Sequence, residues 1–127
     1  MQKIKVLLAS RPKMLSDVIK NLIECQADMQ VVAEVLDPID LLIVARATPV
    51  NVVIVTPLKA NGEPRICRHL LEEHPNLKIV TVSEKGEVAC LYQSGCDTRY
   101  FEEVSWQSIL SAIRESINRN HKEQKHD

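Results

Sequence analysis

Apolar runs alternate along this chain with stretches whose apolar positions recur at helical spacing. Residues 4–9 open the pattern as a first strand, with Ile4, Val6, Leu7, Leu8 and Ala9. Over residues 13–25, Met14, Leu15, Val18, Ile19, Leu22 and Ile23 fall on one stripe of a helix, opposite Lys13, Asp17, Lys20 and Asn21. Pro12 suits the first turn of that helix, where an N–H would have no partner. Residues 29–35 form a second strand whose weak alternation fits the edge of a sheet. Asp37 and Pro38 supply an N-cap and a first-turn proline for a helix carrying Leu41, Leu42, Val44 and Ala45, with Pro49 at its exit.

Residues 51–56 give a third strand. Its core, Val52, Val53, Ile54 and Val55, is unbroken, which implies burial on both faces in the middle of a parallel sheet. A third helix spans 64–74 with Ile66, Cys67, Leu70 and Leu71 inward, and residues 74–76 turn the chain. A fourth strand covers 77–82. Residues 86–94 then read as a short helix ended by Gly95, and Arg99, Tyr100 and Phe101 as a short fifth strand. Ser105 caps a last helix whose inward stripe is Ile109, Leu110, Ile113 and Ile117. The chain divides into one domain over 1–120 and a polar tail over 121–127 that reads as a fraying helix end or a solvated tail, with His121 and His126 as surface residues.

Five strands alternating with five helices call for a parallel sheet covered on both faces. The expected fold class is α/β, a flavodoxin-like doubly wound (βα)5 domain with strand order 2-1-3-4-5. In that order chemistry gathers beyond the carboxyl ends of the strands. Ser10 and Arg11, Thr56, Thr81 to Ser83, and Glu102 belong there.

Composition narrows the classes. A chain of 127 residues with 45% hydrophobic residues supports one domain with a core, and a net charge of −1 implies no broad basic surface for nucleic acid. With Tyr92, Tyr100, Phe101 and Trp106 as the aromatics, a base-stacking surface is not expected. No apolar stretch reaches bilayer length and no signal peptide opens the chain, so a cytoplasmic protein without membrane contact is expected. Cys25, Cys67, Cys90 and Cys96 form no metal-ligand spacing and read as reduced thiols, a redox switch being the sharper alternative.

Several segments carry a family resemblance: 4–9, 29–35, 52–55, 73–83 and 93–97. On these the chain resembles the CheY-like receiver domain of bacterial response regulators, closest to receivers that precede LuxR-type DNA-binding domains. The resemblance covers residues 3–118 and implies a role in two-component signal transduction. It breaks at the phosphorylation pocket. The two acidic positions that hold Mg²⁺ in the family fall on Ser10 and Arg11, the phosphate acceptor on Thr56, and the lysine on Glu102, while the hydroxyl position is kept as Thr81. Phosphoryl transfer to a receiver needs a carboxylate nucleophile, a divalent cation and a positive group. Ser10 and Arg11 offer no carboxylate to Mg²⁺, and a neutral threonine forms no acylphosphate. No Mg²⁺ or other cofactor is therefore expected.

These departures imply a pseudo-receiver that acts by protein–protein interaction without aspartate phosphorylation, and not an enzyme. Arg11 and Glu102 (or Glu103) carry reversed signs and would pair across the strand ends, with Thr56 and Thr81 as hydrogen-bonding partners, unless both simply face solvent. The family signals through the face of its fourth helix, fifth strand and fifth helix. Val88, Leu91, Tyr92, Arg99, Tyr100, Trp106 and Ile109 correspond to it and would meet a signalling protein or a second copy. The alternative is a small-ligand or anion sensor built from Arg11, Thr56, Lys59, Thr81 and Lys85, although no glycine-rich phosphate loop supports it. A kinase site at Thr56 would have to work inside a cleft.

Overall fold

The computed structural model describes residues 3–9, 13–35, 38–56, 65–83, 89–94, 99–101 and 105–125. The elements follow in the order β1 (Ile4–Ala9), α1 (Lys13–Glu24), β2 (Met29–Glu34), α2 (Pro38–Ala47), β3 (Val52–Val55), α3 (Arg65–Glu73), β4 (Lys78–Val82), β5 (Ala89–Gln93), β6 (Arg99–Phe101) and α4 (Trp106–Lys125). The six strands form one mixed sheet in the order β2-β1-β3-β4-β5-β6.

The expected arrangement holds through β4. β1 pairs in parallel with β2 and β3, and β3 in parallel with β4. All four residues of β3 are buried, as its unbroken apolar run requires, and β2 lies at the edge with mostly half-buried residues.

Beyond β4 the expectation is corrected. Residues 89–93, read from the sequence as part of a helix, form β5, which runs antiparallel to β4. Residues 99–101 form the sixth strand, antiparallel to β5, where a fifth parallel strand was expected. The sheet is six-stranded and mixed, and four helices lie among the described residues. The physical reason is the ambiguity of a short apolar run. Ala89, Cys90 and Leu91 are all buried, and burial on both faces erases the alternation that marks a strand.

Two apolar layers enclose the sheet. On one face Ile19 and Ile23 of α1 and Ile109, Leu110 and Ile113 of α4 pack on Val6, Leu8, Val52, Ile54, Val80 and Leu91. On the other, Leu41 and Ala45 of α2 and Cys67 and Leu70 of α3 pack on Leu7, Val53, Val55 and Ile79. The stripe of α1 is rotated from expectation. Met14 is 78% exposed and Val18 48%, whereas Ser16 is buried and its hydroxyl donates to Glu34 Oε1 at 2.7 Å. That bond gives the buried Ser16 hydroxyl a partner on β2.

Capping matches the sequence where it is described. Pro38 is the first residue of α2. Ser105 accepts from the Ser108 amide through Oγ at 3.5 Å and from the Ile109 amide through its carbonyl at 3.0 Å, as an N-cap does. Helix α4 continues to Lys125. Pro12, Asp37 and Gly95 lie outside the described residues. Helix α4 is clamped to the turn before β2. Arg114 donates through Nε and Nη2 to the two oxygens of Asp28 at 2.8 and 2.9 Å, and through Nη2 to Gln26 at 2.7 Å. The Arg114 hydrogen bonds hold the Asp28 carboxyl below its ordinary range, against a smaller opposing effect of desolvation. Among the described residues no helix is long and apolar enough to cross a membrane.

Candidate functional site

Thr56 follows the last residue of β3 and is 5% exposed. Its amide donates to the Ala9 carbonyl at 3.2 Å, which continues the ladder beyond the strand. The backbone therefore delivers a hydroxyl to the carboxyl end of the most deeply buried strand, beside the end of β1. Thr81 occupies the neighbouring position on β4. It stands opposite Val55 on one side and Cys90 on the other, and is 6% exposed. Alternation along β4 puts it on the face of Leu77 and Ile79, toward α2 and α3. The two threonines thus sit at the same end of adjacent central strands, both out of solvent. Ser10, Arg11, Glu102 and Glu103 lie outside the described residues, as do Lys59 and Lys85.

Chemically, the described part of this strand end offers neutral hydroxyls on a rigid platform. A threonine hydroxyl can donate and accept hydrogen bonds. Its oxygen becomes a nucleophile only with a base beside it or a lowered pKa.

The expected partner surface is divided by the structure. Leu91 is 2% exposed and Ile109 fully buried, so both belong to the core rather than to a surface. Tyr92 is half-buried against the layer of α2 and α3, and Trp106 is half-buried against the opposite layer. Val88 lies outside the described residues. Arg99 and Tyr100 do face solvent, Tyr100 at 69% exposure. They lie on β6, the last strand in the sheet order. Arg99 stacks its guanidinium over the Phe101 ring at 5.2 Å and reaches Glu115 of α4 at 3.9 Å. The cause of the division is β5. A helix would have shown Leu91 and Tyr92 on one face, whereas a strand inside the sheet sends them to opposite faces, each under a layer of helices.

Of the cysteines, Cys25 is exposed and Cys67 and Cys90 are buried; no disulfide joins them among the described residues, and Cys96 lies outside those residues.

Sequence reasoning missed a polar organiser at the opposite end of the sheet. Asn51 donates its amide to the Lys5 carbonyl at 2.9 Å and accepts from the Lys5 amide through Oδ1 at 2.9 Å. Its carbonyl accepts from the Lys78 amide at 3.1 Å. One residue ties the starts of β1, β3 and β4. The signal was present as a polar residue directly before an apolar run, a place read only as the start of a strand.

No family model matches the chain, and neither a curated protein nor a solved structure matches it.

Proposed function

We propose that this chain is a receiver-like interaction module that works without phosphorylation. The observation that carries the reading is Thr56, a buried neutral hydroxyl at the carboxyl end of the central strand. In the flavodoxin-like order this is the place where chemistry gathers, and the order β2-β1-β3-β4 with its parallel pairing supports that comparison. In CheY-like receivers, which the sequence resembles, the acceptor carboxylate stands there. A hydroxyl in its stead keeps the scaffold and removes the anhydride-forming group, so the module transmits by contact rather than by phosphate. Its partner is a signalling protein or a second copy that reads Arg99 and Tyr100. An exposed tyrosine on an outer strand supplies a large anchor at low entropic cost, and an outer strand supplies backbone donors and acceptors.

The test is incubation with acetyl phosphate, and separately with beryllofluoride, each with Mg²⁺, followed by intact mass and by amide chemical shifts. The expected result is an unchanged mass and unmoved resonances for Thr56 and Thr81. A phosphoryl adduct, or saturable beryllofluoride shifts at those two residues, would overturn the reading.

A further inference from the structure

At the amino-terminal end of the sheet, opposite Thr56, a cavity of about 490 Å³ opens between the start of β1, the exit of α2 and the turn before β4. Its polar lining comes from Lys3, Lys5, Arg46, Thr48, Asn51 and His74, over an apolar floor of Pro49, Val50 and Leu77. Among the described residues no carboxylate lines it. The volume lies within the range of small-molecule sites.

The charges on this cavity do not cancel. Arg46 is engaged with Glu73, donating through Nε at 2.8 Å to Oε2 and through Nη2 to Oε1. Those two bonds use part of a guanidinium that has five N–H donors. Lys3 is exposed and Lys5 half-buried, and neither ammonium has an acidic partner among the described residues. The carbonyl end of α2 lies against the cavity and contributes the opposite sign, about half a charge. Two lysines outweigh it. The Nε2 of His74 is shielded from solvent and makes no hydrogen bond among the described residues; Glu73 Oε2 is 3.9 Å away, beyond hydrogen-bonding reach. The Asn51 side chain spends its oxygen on the Lys5 amide and leaves its two N–H donors uncommitted among the described residues.

We propose that this cavity binds a small multivalent organic anion, a phosphate ester or a polycarboxylate. Lys3 and Lys5 balance its charge, and Asn51, Thr48 and the spare N–H groups of Arg46 orient its oxygens. The site is independent of the proposed interaction function, because its lining includes none of Thr56, Thr81, Arg99 and Tyr100.

The experiment titrates the whole chain with a sugar bisphosphate and, in a second arm, with citrate. Sodium sulfate at matched ionic strength is the control, and amide shifts are followed throughout. The expected result is saturable shifts at Lys5, Thr48, Asn51 and His74 in at least one arm with a Kd below about 1 mM, and little response to sulfate. Lys3→Gln, in the segment before β1 where folding is not at stake, should weaken that affinity roughly 3-fold, and Lys3→Gln with Lys5→Gln about 10-fold or more. Lys13→Gln on α1 should leave it unchanged. The proposal is overturned by an absence of saturable shifts at these four residues up to about 10 mM of either probe. It is equally overturned by an affinity that survives Lys3→Gln and the double variant, or by shifts that gather at Thr56 and Thr81 instead.

Discussion

Glu73 is the most heavily engaged carboxylate among the described residues. It closes α3 and receives Arg46 from α2, His69 from one turn earlier at 2.8 Å, and His74 at a longer 3.9 Å. The hydrogen bond from Arg46, with smaller help from the charges of Arg46 and His69, lowers its pKa from the ordinary 4.5 to about 2 despite an opposing desolvation. Because the folded value is depressed, the unfolded chain binds more protons through that window. The contribution to stability is complete above pH 4.5 and is lost as the pH falls toward 2. Arg46→Ala should return the Glu73 titration toward 4.5 and shrink the loss of stability over the same window, read from side-chain carboxyl carbon shifts and from acid titrations of folding. An unmoved midpoint in the variant would show that the guanidinium is not the cause. At this scale the sequence was partly legible. Thr56 and Thr81 could be placed at buried strand ends because apolar runs lead directly into them. The burial of Ser16 could not be foreseen, since it depends on Glu34 arriving from a different strand.

Among the elements, β5 separates what the pattern could tell from what it could not. Strands β1, β3 and β4 are apolar and closed by polar or turn-forming residues, and helices α1, α3 and α4 show helical spacing, so their type was readable. Residues 89–93 are too few and too uniformly apolar for periodicity to distinguish strand from helix, and the decision came from pairing with β4. The register sets Thr81 opposite Cys90, Val80 opposite Leu91 and Ile79 opposite Tyr92. Antiparallel neighbours approach most closely at their non-hydrogen-bonded pairs, with Cα atoms about 4.5 Å apart. Nuclear Overhauser spectra should therefore contain cross-strand contacts between α-protons within this set. Sequential i to i+3 contacts across residues 89–93, with no cross-strand signal, would restore the helix and return Leu91 and Tyr92 to a single face.

For the molecule as a whole, stability rests on the sheet being covered twice. Ile54 is fully buried in β3 beneath α1 and α4, and truncating it opens a cavity that neighbouring strands cannot close. Ile54→Ala should cost about 3 kcal/mol in urea-induced unfolding, whereas Val18→Ala, at an exposed position, should fall within about 0.5 kcal/mol of the parent. A loss below about 1 kcal/mol at Ile54 would mean the layer over β3 is loosely packed. The layered α/β architecture was legible from the sequence because alternation of element types fixes the number of layers. The direction of the last two strands was not, because it is set by long-range pairing.

A sheet whose inner strands are almost wholly apolar has a problem of alignment. Sliding Val52–Val55 by one residue against β1 or β4 would exchange one aliphatic side chain for another, at little hydrophobic cost. Asn51 removes that degeneracy. Its side-chain oxygen meets the Lys5 amide at a single setting, and any slip gives up that bond, whereas the backbone ladder can re-form in another register. The residue works as an indexing pin, and the spatial phase of everything downstream along β3, Thr56 included, is counted from it.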